Sequence, residues 1–165
     1  MPNRFKPVLI LLAISLAACQ STKDISGSAP PPQDVTPGST FTVIKDFLIP
    51  AGDSSVYFQD NQLYPQGRIK ADDPSCQFGI AASTSAGTVI RAGNLVVSNV
   101  EYDEKGVGPL GIDVSITKIH LRSAATGDNY QLDCMLPRLS YGARFVTPPE
   151  IQGAVGGYMD LKVAP

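Results

Sequence analysis

From Ser39 onward, apolar residues recur at every second position in short runs separated by turn-forming residues, and this period constrains the fold more than any other feature. Successive side chains of a strand point to opposite faces, so a period of two marks a strand with one face in a core. Phe41, Val43, Phe47 and Ile49 share one face of a first predicted strand, with Lys45 the exception. Pro50-Ala51-Gly52-Asp53 turns the chain into Val56-Tyr57-Phe58-Gln59, and Asp60-Asn61 reads as a tight turn. Cys76 to Ile80 alternates again. Thr88 to Arg91 and Leu95 to Tyr102 follow, separated by Gly93-Asn94, a pair that tolerates positive φ. Tyr102 to Gly106 reads as a polar hairpin tip, and Gly106 to Gly111 as a turn-rich link. Ile112, Val114 and Ile116 then share one parity and Ile119 and Leu121 the other, a phase slip at Thr117-Lys118 that predicts a bulge or a bend between two sheets. Tyr130, Leu132 and Cys134 continue the alternation. The expected fold is mostly β, an antiparallel sandwich or small barrel.

One short C-terminal helix interrupts this pattern. Thr147-Pro148-Pro149-Glu150 carries the residues of a capping box, and Pro148 occupies the first helical position, where a missing N–H costs nothing. Ile151 and Val155 share a face, and Gly156-Gly157 ends the helix. Tyr158 to Val163 reads as a last strand with Met159, Leu161 and Val163 facing inward.

The N-terminus has a different character. Arg4 and Lys6 precede a twelve-residue apolar run, Pro7 to Ala18, which is shorter than the ~20 residues needed to span a bilayer and so reads as a secretory signal. Leu16-Ala17-Ala18-Cys19 resembles the lipobox of bacterial lipoproteins at all four positions. That resemblance implies cleavage before Cys19, a diglyceride on its sulfur and, in most Gram-negative species, an acyl group on its new amino terminus. Several chains make the anchor effectively permanent, since each buried methylene contributes ~0.8 kcal/mol. Gln20 in place of Asp implies, by enteric-type sorting, the inner leaflet of the outer membrane, facing the periplasm.

The chain therefore divides into a signal peptide (1–18), a lipidated Pro/Ser-rich tether (19–38) and a single β-rich domain (39–165). The tether, with Pro30-Pro31-Pro32, Pro37 and Gly38, buries too little apolar surface to offset the entropy of ordering it. The chain has 13 Lys and Arg and 15 Asp and Glu; removing Arg4 and Lys6 with the signal leaves 11 against 15, a formal charge of −4. The charges are dispersed, with no basic cluster of the kind that tracks phosphates, so nucleic acid is not an expected partner.

Lipidation of Cys19 leaves Cys76 and Cys134, an even number in an oxidising compartment, which reads as a structural disulfide. Metal ligation needs more soft ligands than two cysteines and the single histidine, His120. The Cys-x-x-Cys spacing of redox catalysis is absent. No cofactor motif is present: Gly106 to Gly111 precedes a strand pattern rather than the helix N-terminus a phosphate loop requires.

Candidates for other chemistry are few. His120 could act as a base, with Asp113 or Asp133 to orient it, but Lys118 and Arg122 share its face and point to solvent. Asp72-Asp73, with Asp60, lacks the ligand spacing of a calcium loop. Ser98 and Ser140 sit in no nucleophile elbow. No catalytic residue is assigned.

Ile49-Pro50-Ala51-Gly52, Val56-Tyr57-Phe58-Gln59-Asp60 and Pro74-x-Cys76, with a second Cys after a late strand, resemble a group of uncharacterised proteobacterial lipoproteins. The likeness covers most of the mature domain and implies a shared scaffold with no activity attached. The expected function is that of a non-enzymatic envelope binding or assembly module, held on the membrane by its lipid, with a protein, glycan or lipid partner. The alternative is a periplasmic inhibitor or a lipid-binding barrel, and the third class is a hydrolase.

Overall fold

The structure is a computed structural model that describes residues 34–65, 68–107, 112–142 and 144–165. Cys19, the signal segment and all but the last residues of the tether lie outside the described residues. Among the described residues ten strands and two helices follow one another: β1 (Thr40–Val43), β2 (Phe47–Ile49), β3 (Ser55–Gln59), β4 (Gln62–Tyr64), β5 (Ser75–Ile80), β6 (Thr88–Ile90), β7 (Gly93–Val107), β8 (Ile112–Ser123), β9 (Asn129–Pro137), α1 (Arg138–Tyr141), α2 (Pro148–Val155) and β10 (Met159–Lys162). Eight strands form one antiparallel sheet in the order β10-β1-β7-β8-β9-β5-β3-β4, curled into a half-barrel, and β2 pairs with β6 in a separate two-stranded sheet.

The inner face is the core. Phe41, Val97, Ile119, Leu121, Leu132, Phe78 and Phe58 are buried there, and the alternation places polar residues between them on the outer face. Phe47 plugs the centre, its ring edge-on to both Phe58 and Phe78 at 5.2 Å. Each such contact adds roughly 0.5–1.5 kcal/mol beyond the area it buries. Cys76 and Cys134 face each other directly across β5 and β9, with Cα atoms 4.0 Å apart, and form a disulfide inside this core. Val35 is buried in the same cluster. The Ser39 hydroxyl accepts from the N–H groups of Thr36 (3.2 Å) and Ala164 (3.0 Å), tying both ends of the domain to one point.

Three expectations are revised. The run from Phe41 to Ile49 is two strands in two sheets, and Lys45, the odd residue in its alternation, marks the break. Asp46 fixes that corner by accepting from the N–H of Ala92 (2.7 Å) and from Arg91 (2.8 Å), which holds its carboxyl below the usual carboxylate range. Tyr102 to Gly106 is no hairpin tip; it lies within β7, paired with β8 as far as Val107. The slip at Thr117-Lys118 is not a bulge either. Strand β8 keeps an unbroken register with β9 from Val114 to Arg122, and the bulge lies opposite it in β7, at Ser98. What changes along β8 is which face is apolar. Val114 and Ile116 are buried on the outer face, whereas the inner positions are Ser115 and Thr117, fully buried hydroxyls with no hydrogen-bond partner among the described residues.

Helix α2 starts as its sequence requires. The Thr147 N–H and hydroxyl both donate to Glu150 Oε2 at 2.9 Å. A second helix, the four-residue α1, precedes it and lies against β8. Helix α2 also bridges the two open edges of the sheet. At the β10 edge, Gln152 Oε1 accepts from the Leu161 N–H (2.7 Å) and its Nε2 donates to the Met159 carbonyl (3.2 Å), so one amide side chain imitates a neighbouring strand. At the other edge, the Asn61 N–H in the β3–β4 turn donates to the carbonyls of Gly153 and Ala154 at 3.1 Å. Asp60 and Asn61 both have positive φ, the backbone of a tight two-residue hairpin turn. Such edges otherwise offer unpaired groups to any passing strand.

Candidate functional site

Residues directly opposite each other in an antiparallel sheet share a face, so the register assembles rows of side chains from distant parts of the sequence. One outer-face row runs Asn99, His120, Gln131, Gly79, Ser55; the next runs Glu101, Lys118, Asp133, Gln77, Tyr57. All are polar except Gly79. Hydrogen bonds between the two rows hold them: Gln131 Nε2 donates to Asp133 Oδ1 (2.7 Å), Gln77 Nε2 to Ser55 Oγ (2.8 Å) and Asn99 Nδ2 to Glu101 Oε1 (3.0 Å). Lys118 Nζ donates to Asp103 Oδ2 (2.8 Å), a bond that raises the lysine pKa and lowers that of the carboxyl. Burial pushes the Tyr57 phenol up, and the charge of Asp133 adds to the effect.

Over these rows lies a groove of about 350 Å³, lined by Ser55, Gly79, His120, Asn129, Gln131 and Asp133 among others. His120 shares its face with Lys118 and Arg122, as its position in the alternation predicts. Its Nε2 is covered and lies 3.3 Å from Glu101 Oε1, close enough for an ion pair when protonated but outside hydrogen-bonding geometry. Of the two carboxylates considered as orienting partners, Asp133 is a diagonal neighbour, opposite Lys118, whereas Asp113 lies towards the far end of β8 and on the other face. Glu101 is the carboxylate that reaches the imidazole. Its strand is shifted by the bulge at Ser98, whose hydroxyl donates to the His120 carbonyl (3.1 Å), and no local pattern reveals that register.

The remaining candidates fall elsewhere. Lys70 Nζ sits 2.9 Å from Asp60 and 3.8 Å from Asp73, so an ammonium group occupies the space between these carboxylates. The segment around Lys70 is pinned by the buried Gln59, whose Oε1 accepts from the Lys70 N–H (2.7 Å) and whose Nε2 donates to the carbonyls of Lys70 (2.9 Å) and Asp73 (3.2 Å). Ile69 from this segment lines a small apolar cleft of about 140 Å³ with Val114, Met135 and Pro137. Ser98 is spent on the bulge, and Ser140 lies exposed on α1. No family model, curated protein or solved structure matches the chain.

Proposed function

We propose that this protein is a membrane-anchored lipoprotein, lipidated at Cys19 and facing the periplasm from the outer membrane, whose domain is a non-enzymatic module that binds or assembles an envelope component through its outer face. The observation that carries this reading is the division of the sheet. The inner face is filled by Phe47, Phe58 and Phe78, whereas the outer face presents ordered rows of polar side chains around a groove. A lumen packed with aromatic rings supports surface recognition over a lipid carried inside the barrel. The resemblance of residues 16–19 to a lipobox supports the anchor.

Two measurements test it together. A Cys19→Ala variant should lose labelled palmitate and leave the membrane fraction while its domain stays folded; equal labelling of both proteins would sink the anchor. A photo-crosslinking residue at the exposed outer-face position Asn99 should capture an envelope component in intact cells, and one at the exposed edge position Asp160 should not. Asp160 lies at the β10 edge of the same face, away from the groove, so equal capture from both positions would remove the polar rows around the groove as the binding surface.

A further inference from the structure

Gly79 occupies the middle of the outer-face groove, between Gln131 on β9 and Ser55 on β3. A glycine inside a strand destabilises it relative to alanine, so it needs a reason. Neither usual reason applies. Its φ is not in the left-handed region, and a Cβ built there would meet only the Gln131 carbonyl at 3.8 Å and the Ser54 carbonyl at 3.9 Å, ordinary contact distances. The fold has room for a side chain at position 79 and does not use it. Glycine in a strand also marks a bulge, which the unbroken register of β5 with β3 and β9 rules out, a tight bend, or close approach by a ligand, and its place in the middle of the groove favours the last.

The groove's lining defines that ligand's chemistry. Gln131 and Gln77 are each held by one amide hydrogen bond, to Asp133 and Ser55, which leaves their carbonyl oxygens and second amide N–H groups to meet a ligand in fixed orientation. The Ser55 hydroxyl, Asn129 and one carboxylate complete an alternation of donors and acceptors. Asp133 is the one carboxylate among the described lining residues and Lys118 opposite it is paired with Asp103, so the lining repels anions and has no cationic cluster for a phosphate. The lining is too polar for an acyl chain. We infer that the groove binds a neutral polyhydroxylated ligand, a short stretch of glycan, with a sugar ring lying over Gly79 and its hydroxyls paired with Gln77, Gln131 and Asp133. The inference rests on the binding-module reading and names its ligand class. The groove's volume is at the lower end of the roughly 300–1,000 Å³ of small-molecule sites, enough for a short saccharide.

The full chain, held in a detergent without a sugar headgroup, is titrated by calorimetry with chitotetraose, cellotetraose and maltotetraose. At least one should bind. Gly79→Thr should fold with a melting temperature no lower than wild type and weaken that binding about tenfold or more, because its side chain fills the place of the ring; Gln131→Ala should weaken it about tenfold through lost hydrogen bonds. Gly79→Ala, the smaller filling, should fall between Gly79→Thr and wild type. Failure of all three sugars to bind, or binding unaffected by Gly79→Thr, overturns the inference. If the crosslinker at position 99 then captures a protein in place of a glycan, the binding-module reading stands and the glycan is wrong. If it captures nothing, both fall.

Discussion

Gly157 lies so close to the backbone carbonyl of Asn61 that no side chain fits between them. Asn61 belongs to the β3–β4 turn at one edge of the half-barrel, and Gly157 leads from α2 into β10 at the other. The contact therefore closes a curled sheet whose edge strands never pair.

Two glycines beside this contact should respond in opposite directions. Gly157→Ala forces the hairpin off the helix and should destabilise by about 1–3 kcal/mol, the usual range for overpacking a rigid site. Gly153→Ala has nothing within 4 Å of its new methyl group and should stabilise α2 by about 0.5–1 kcal/mol. Urea denaturation of both variants separates a close-packing role from simple helix termination, under which neither change would be costly.

The disulfide should be a main support of the domain. It closes a sequence separation of 58 residues, which on the chain-entropy view stabilises by about 4 kcal/mol. Cys76 and Cys134 should resist alkylation in native extracts until a reductant is added. Free thiols at both positions in freshly isolated protein would contradict the pairing.

Acid should loosen the start of α2. The Arg144 guanidinium, 2.6 Å from Glu150, and the N–H and hydroxyl of Thr147 together hold the Glu150 carboxyl down at about 2. A carboxyl depressed in the folded state binds its proton more weakly there than in the unfolded chain. The stability it supplies is thus fully present above the ordinary pKa of 4.5 and is lost as pH falls from there towards 2. Arg144 is partly exposed, so solvent screening discounts the effect to about 1–2 kcal/mol. Melting temperatures between about pH 6 and about pH 2 should fall less steeply for Glu150→Gln than for wild type.

Gln59 should be needed for its hydrogen bonds and not for its bulk. Gln59→Leu keeps the volume but leaves the Lys70 N–H and the carbonyls of Lys70 and Asp73 without their partner, at a cost of about 1–3 kcal/mol. Hydrogen exchange at the Lys70 amide should accelerate before the rest of the domain loosens. Unchanged protection there would show that the segment is held by other contacts.

The amino-acid sequence by itself determined what is local. Alternation named most strands, Asp60-Asn61 named the hairpin turn, and Thr147 to Glu150 named the start of α2, because each depends on residues within a few positions of one another. Tertiary structure decided the rest. The apolar exchange along β8 looked like a bulge since a one-dimensional pattern cannot tell a shifted strand from one whose two faces are covered in turn, here by the core at Ile119 and by the cleft at Val114. Lys45 looked like an exception within one strand because its corner is fixed by Asp46 meeting Ala92, which is distant in sequence. The candidate site was least legible of all. Glu101, His120, Gln131, Gly79 and Ser55 come from five strands, and only the pairing register, set by packing across the whole sheet, makes them neighbours.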